Sequence, residues 1–341
     1  MSYKRILIIQ TAFVGDVILI TPLIRATQGL FPDAEIDVAV VPQSQGVLVN
    51  NPYIRKIIPF DKRKNKLAAF WRTVRVLRGN KYDLAISPHS STTTAFLMLL
   101  GGIKTRLGFD RGFAARFLTH KVPHLDNVHK IKKNLHLLST FSDREFPLQT
   151  ELFPDEPKMN RARTIVEPRH FQHQPIIAVA PGSVWFTKRW PVEHYIKLTQ
   201  LLFQARLNLI FIGAGDEREL CEHIIQQAGA VAINLAGKAD VLDSAAVIAQ
   251  CDLIICNDSG ALHIANAMQT DVMAFFGPTV QSFGYFPYRE NDLVFERDMD
   301  CRPCGSHGGK QCPLGHHRCM KEILPEMVFQ KVIEKFENKI G

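Results

Sequence analysis

RILIIQTAFVGDVILI, residues 5–20, decides the fold class. The run Arg5–Ile9 is apolar with no polar alternation, which marks a strand covered on both faces and therefore a parallel sheet. A short loop and an apolar helix follow. The unit departs from a dinucleotide-binding strand-loop-helix in its loop, where the glycine cluster that lets a pyrophosphate approach is missing. It has one glycine, Gly15, and then a carboxylate, Asp16. A helix N-terminus carries partial positive charge, so a carboxylate there stays ionised, whether as an ordinary helix cap or as a base.

Similar runs recur at Ile36–Val41, Lys56–Phe60, Leu84–Ser87, Ile176–Ala180, Leu207–Ile212, Val231–Asn234, Leu253–Cys256 and Val272–Phe276. Helical spacing separates them, at Trp71–Leu77, at Val192–Phe203 with Pro191 in its first turn, and at Pro325–Lys339. With 341 residues the chain exceeds one ordinary core. The expectation is an α/β protein of two doubly wound, Rossmann-like domains, 1–150 and 175–341, joined by a proline-bearing linker at 151–174. KYDLAIS (81–87) and QCDLIIC (250–256) repeat one phrase, an Asp-Leu pair opening a buried strand. Ligands of such sheets bind beyond the carboxyl ends of the strands, so the cleft between two domains is the expected site.

Hydrophobic residues make up 46% and charged residues 22%, and no apolar run approaches the roughly 20 residues of a membrane span. The N-terminus lacks a small-residue cleavage site, so a cytoplasmic chain is expected. A net charge of +8 favours an anionic partner. Basic residues cluster at 62–66, 72–78, 106–116 and 130–133, all in the first half. Each cluster alone reads as a solvated face; together they point to an acidic ligand for that half. Nucleic acid is the competing partner, but the chain has no RNA or DNA motif and no basic stripe interleaved with aromatics.

Three motifs carry chemistry in the second half. PGSVWFTKRWPVEHY (181–195) follows a strand and leads into a helix, and its Gly182, Ser183, Thr187, Lys188 and Arg189 supply the donors and positive charge a phosphate needs. NDSGALHIANA (257–267) offers Asp258, the amides of Ser259 and Gly260, and His263 one turn into a helix; Asp258 could equally cap that helix. GAGDERE (213–219) places Asp216 and Glu217 where a nucleotide-binding unit holds ribose hydroxyls. GAG lacks the remaining glycine of the dinucleotide fingerprint, which argues against an NAD enzyme.

Gly15-Asp16, K-R-W-P at Lys188–Pro191, and N-D-S-G-x-x-H at Asn257–His263 with F-G-P-T at Phe276–Thr279 together resemble glycosyltransferase family 9, the ADP-heptose:lipopolysaccharide heptosyltransferases, from residue 1 to about 290. K-R-W-P resembles the enzymes adding the second heptose. The resemblance implies a GT-B fold, with acceptor on the N-terminal domain and nucleotide sugar on the C-terminal one. It implies inverting, metal-independent transfer of heptose from ADP-heptose to the lipopolysaccharide inner core at the inner face of the inner membrane, with no cofactor. Asp16 then becomes the general base beside Gly15. Lys188, Thr187, Ser259 and Gly260 take the diphosphate, with Ser183 and Arg189 in the same loop. Asp258 or His263 holds sugar hydroxyls, and Asp216 or Glu217 the ribose. The basic clusters offer Arg63, Lys64, Arg106 and Arg111 to the acceptor. Another nucleotide sugar is the alternative within this fold, because the residues themselves name neither adenine nor heptose.

DCRPCGSHGGKQCPLGHHRCM (300–320) contains Cys301, Cys304, Cys312 and Cys319, with His307, His316 and His317 nearby. Its C-x2-C opening can start a zinc site. The spacing after that pair is irregular and the transfer has no use for a metal, so reduced thiols in a packed loop are expected. Cys221, Cys251 and Cys256 read as core, and Asp298-Met299-Asp300 as surface.

Overall fold

The computed structural model describes residues 3–61, 65–167 and 170–337. The chain divides into two compact units, Met1–Phe153 and Pro154–Gly341. In unit one the strands are β1 (Arg5–Gln10), β2 (Glu35–Val40), β3 (Lys56–Pro59), β4 (Leu84–Ser87), β5 (Thr105–Phe109) and β6 (His120–Val122). They form a parallel sheet in the order β3-β2-β1-β4-β5-β6. Its helices are α1 (Val14–Ile18), α2 (Thr21–Leu30), α3 (Lys66–Asn80), α4 (Thr92–Leu100) and α5 (Lys130–His136).

Unit two contains α6 (Glu156–Val166), β7 (Ile176–Ala180), α7 (Val192–Gln204), β8 (Asn208–Phe211), α8 (Arg218–Ala228), β9 (Ile233–Asn234), α9 (Val241–Ile248), β10 (Leu253–Asn257), α10 (Gly260–Ala267), β11 (Asp271–Phe276), β12 (Leu293–Glu296), α11 (Arg318–Lys321) and α12 (Pro325–Phe336). Its parallel sheet runs β12-β11-β10-β7-β8-β9. Read from the other edge, that is third, second, first, fourth, fifth, sixth, the same order as unit one and the order of doubly wound nucleotide-binding sheets. The repeated phrase has a structural reason. Asp83 Oδ2 accepts the amides of Lys4 (2.9 Å) and Arg5 (3.0 Å), and Asp252 Oδ2 accepts that of Ile176 (2.9 Å). In each unit the aspartate before the fourth strand fixes the start of the first.

The central strands are buried throughout, Ile6–Ile9 and Leu253–Cys256 being 0% exposed, as their lack of polar alternation requires. In unit one the carboxylate of Asp37 is buried against Arg55 (2.6 Å) and the Tyr82 hydroxyl (2.5 Å). Burial and the Asp37 hydrogen bond push the Tyr82 phenol far above its ordinary range. In unit two Trp190 stacks on Phe275 at 4.3 Å between ring centroids, and its indole donates to Ile323 O at 2.9 Å.

Three strands escape the pattern reading. β5 lies inside the run taken for a basic face, β6 has only three residues, and β12 is a half-buried edge strand. The stretch 151–174 contains α6, which joins unit two through Lys158 to Asp240 (2.6 Å) and Arg161 to Asp243 (2.8 Å). Its prolines suggested a linker, yet Pro157 falls in the first turn, where the missing N–H costs nothing. Pro191 sits one place earlier than expected, as the residue capping α7. Cys221, Cys251 and Cys256 are buried, and Asp298 and Asp300 are exposed.

Candidate functional site

At the carboxyl end of β1, buried Gln10 turns its Oε1 to the amide of Ala12 (3.3 Å) and shapes the loop. Phe13 caps α1 without a side-chain bond, and Asp16 is the third residue of that helix, half-buried in its first turn. Asp16 is thus not the cap, although it lies within reach of the helix's positive end. Gly15 O accepts the amide of Leu19 (3.0 Å), and the Leu19 carbonyl accepts Asn134 Nδ2 (3.0 Å), which ties α5 to α1. The Lys130 ammonium, one turn before Asn134, lies within electrostatic range of Asp16.

Arg111 follows the carboxyl end of β5, with Nη1 3.3 Å from His124 Nδ1 and 3.5 Å from Asp126 Oδ1. Arg106 is placed differently. It is the second residue of β5, at the opposite edge of the sheet from Asp16, and its guanidinium donates to the carbonyls of Ile103 (2.6 Å) and Phe117 (2.7 Å). The structure therefore does not bring Arg106 to Asp16; its charge serves the turn it sits in. Arg63 and Lys64 lie outside the described residues.

In unit two the motifs converge at the carboxyl ends of β7 and β10. Asn257, 0% exposed, is the hub: Oδ1 accepts the Trp190 amide (2.9 Å), and Nδ2 donates to Pro181 O (2.8 Å) and Gly182 O (3.1 Å). Lys188 Nζ meets Asp258 Oδ2 at 2.6 Å, and the same oxygen accepts Thr279 Oγ1 at 2.6 Å. Asp258 does not cap α10; Ser259 holds that position, with no side-chain bond. The amides of Ser259 and Gly260 open an eight-residue helix, and His263 lies inside its first turns, nearly buried, with its ring against Tyr285.

Glu217 reaches back to the amide of Ala214 (2.8 Å) and fills the space over Gly182, where a Cβ would stand 1.7 Å from Glu217 Oε1. A side chain at 182 would therefore have to displace the Glu217 carboxylate from that place. Asp216 beside it is exposed. Arg189 turns inward, Nε donating to Ser183 O (2.7 Å), so it shapes the loop that carries buried Ser183.

The cysteine segment closes around this loop. Thr187 Oγ1 accepts the amide of Gly309 (2.7 Å), Thr187 N donates to Gly309 O (3.1 Å), and His317 Nε2 lies 2.9 Å from Thr187 O. The Thr187 hydroxyl is thereby engaged within the protein. Arg302 anchors the segment to the end of β11 through Gly277 O and Thr279 O. All seven cysteines are free thiols, and among the described residues no group of three or more His, Cys, Asp or Glu is arranged to hold a metal ion. Burial works against ionisation of Cys312, but the amides of residues 314–317 offset it and hold that thiol below its ordinary range.

Pattern reading missed Thr279, Asn257 and Lys130 as parts of these constellations. Thr279 and Asn257 sat in quoted motifs whose other members drew attention. Lys130 sat in a basic run that looked like a solvated face.

Two parallel six-stranded sheets covered by helices, one in each unit, are the GT-B architecture. The family model for glycosyltransferase family 9 (heptosyltransferase) matches residues 70–316. The chain belongs to that family, and it is a glycosyltransferase. Lipooligosaccharide heptosyltransferase 2 of Haemophilus ducreyi is 27% identical over 346 residues, spanning 96% of this chain and 98% of that protein. The fold is similar to that of E. coli ADP-heptose lps heptosyltransferase II, with a TM-score of 0.79 and 23% identity, covering 99% of this chain and 100% of that one. It is also similar to a family 9 glycosyl transferase from Veillonella parvula DSM 2008, with a TM-score of 0.83 and 24% identity over 98% and 97% of the two chains.

Proposed function

We propose that this protein transfers heptose from ADP-heptose to the lipopolysaccharide inner core, as a heptosyltransferase of the second type. The observation that carries the reading is the likeness to heptosyltransferases 2 along nearly the whole chain. Unit two takes the donor. Lys188 and the amides of Ser259 and Gly260 receive the charge of the leaving diphosphate, and Glu217 meets the ribose. Asp258, held by Lys188 and Thr279, orients the ammonium and offers its remaining oxygen to a sugar hydroxyl.

Unit one takes the acceptor. Asp16 removes the proton from the attacking hydroxyl as the bond from the anomeric carbon to the diphosphate breaks, a single displacement that inverts configuration. Lysine and helix amides supply the charge stabilisation, so no cofactor is proposed, and the cysteines of 300–320 serve the fold of the donor loop as thiols. Lipopolysaccharide as acceptor places the work at the inner face of the inner membrane; among the described residues no helix is long and apolar enough to cross a membrane.

The test is incubation with ADP-heptose and a core acceptor lacking the second heptose, read by mass spectrometry, beside UDP- and GDP-sugars. One heptose added from the ADP-sugar alone is expected. Transfer only from another nucleotide sugar would overturn the donor assignment. Elemental analysis tests the thiols: about one zinc or iron per chain, lost in Cys301→Ser/Cys304→Ser, would replace them with a metal centre.

A further inference from the structure

One helix layer of unit one carries large apolar side chains on its outside. On α3 the side chains at i, i+3, i+4 and i+7, Phe70, Thr73, Val74 and Leu77, form the inward face, and the last three are buried. The opposite face presents Leu67 (75% exposed), Trp71 (55% exposed) and Arg75 at spacings of four, with Arg72 beside them. Val74 and Leu77 of α3, Leu97 and Met98 of α4, and Ala114 of the short 3-10 helix Phe113–Phe117 share one core cluster. These three elements therefore cover the sheet as one layer, and their outward faces are continuous. That surface adds Leu99, Lys104, Phe113 and Arg116, all exposed, with the Arg116 guanidinium 5.2 Å over the Phe113 ring.

The charge on this surface is of one sign. Residues 66–109 contain a single carboxylate, Asp83, which is engaged by the amides of Lys4 and Arg5 at the start of β1. Asp110, just beyond, accepts the His124 amide (3.0 Å). Among the described residues, no carboxylate pairs with Arg72, Arg75 or Lys104. An ordinary solvated face has no need of a leucine and a tryptophan this exposed side by side. A second copy of the same face would bring like charges together, which disfavours self-association. Cations interleaved with aliphatic and aromatic tips match an anionic lipid surface, where guanidinium groups meet lipid phosphates while leucine and tryptophan enter the boundary between headgroups and acyl chains.

We propose that the outward face of α3 and α4, with Phe113, docks unit one on an anionic phospholipid bilayer, Leu67 and Trp71 serving as the apolar anchors. The bilayer location given under the proposed function rests on the acceptor; this surface stands on its own side chains. Docking would confine the search for a membrane-held acceptor to the plane of the bilayer.

The probe is vesicles of phosphatidylglycerol and phosphatidylethanolamine, sedimented with the full chain, beside vesicles of phosphatidylcholine alone. Binding to the anionic vesicles only is expected, weakening as salt rises. Arg72→Gln/Arg75→Gln should weaken it about 25-fold, about fivefold for each charge lost, and Leu67→Ser/Trp71→Ser about tenfold. Lys197→Gln, an exposed charge on α7 of unit two, should leave it unchanged. All these positions are exposed, so melting temperatures should hold. Absent vesicle binding, or binding that neither double variant weakens, overturns the proposal. Without vesicle binding, capture of plain RNA that the arginine variant abolishes would replace the bilayer with nucleic acid, and dimerisation that Leu67→Ser/Trp71→Ser abolishes would replace it with a second copy. No nucleotide sugar or acceptor is present, so these outcomes are independent of the transferase reading. In the transfer assay Leu67→Ser/Trp71→Ser should raise KM for an acceptor held in vesicles about tenfold and leave kcat and KM for a soluble, deacylated acceptor unchanged; an equal loss with both acceptors overturns the docking role.

Discussion

The two units share a strand order and an aspartate that fixes the start of the first strand, but they place opposite charges after that strand. In unit one β1 leads within a few residues to Asp16, on the first turn of a five-residue helix. In unit two β7 leads through a longer loop to Lys188, which a buried carboxylate from β10's end holds in place. The sheets are interchangeable in outline and the loops are not. What a doubly wound sheet does chemically is set by the residues its first loop delivers to the carboxyl edge, and the roles proposed above assign a carboxylate there to taking a proton and an ammonium there to receiving a diphosphate.

The largest test of this contrast is Asp16→Asn. It keeps the shape and removes the basicity, so turnover should fall roughly 10² to 10⁴-fold while ADP affinity holds. Single-turnover kinetics beside ADP titration check it, and near-normal turnover would dissolve the distinction between the loops. Lys188→Ala should act on the other side, weakening ADP binding and turnover together by about 10 to 150-fold, the effect of a lost hydrogen bond to a charged group. It also leaves the buried Asp258 carboxylate without its counter-charge, held by Thr279 alone, so melting temperature should drop. Adding Asp258→Asn should restore the melting temperature but not the ADP affinity, which separates the structural pair from the binding role.

The shared feature is open to the same treatment. Asp83→Ala loses two amide bonds and Asp252→Ala at least one, so denaturant titration should give losses of about 1–3 and about 0.5–1.5 kcal/mol. Equal turnover per folded molecule in both variants would keep the frame separate from the chemistry. The smallest effect concerns Asp243 on α9. Burial would raise its pKa, but hydrogen bonds from Arg161 and Lys158 prevail and hold it at about 2. The folded value is depressed, so its stabilisation is complete above the ordinary carboxylate range and is lost as pH falls from about 4 towards 2. The melting-temperature gap between wild type and Asp243→Asn should close over that window and stay constant above it.

How much of this was legible in the sequence follows from which forces are local. Uninterrupted apolar runs such as Ile6–Ile9 and Leu253–Cys256 announce buried parallel strands, because burial on both faces leaves no place for a polar residue. Asp16, Lys188 and Asp258 stand out because they are charges set where strands hand over to helices. Arg106 misled because a basic cluster says nothing about the edge of the sheet to which each member belongs; that depends on β5, which the same cluster concealed. Thr187 misled for the converse reason, since its partner Gly309 is 122 residues away. Lys130 and Asn134 depend on how α5 lies against α1, which no pattern within α5 records.

The bond between Thr187 and Gly309 also bears on how the protein comes to life. The loop that carries Lys188 is written into the middle of the chain, yet its conformation is held by residues 309, 317 and 323. During synthesis that loop must wait for the C-terminal segment to return and clasp it, and so must the core of unit two, to which the same segment contributes Met320, Ile323, Val328, Val332 and Phe336. Competence to bind the donor should therefore be among the last properties the nascent polypeptide acquires. A chain cut before residue 300 would lose that clasp and, with it, Met320, Ile323, Val328, Val332 and Phe336, which complete the core against the sheet of unit two.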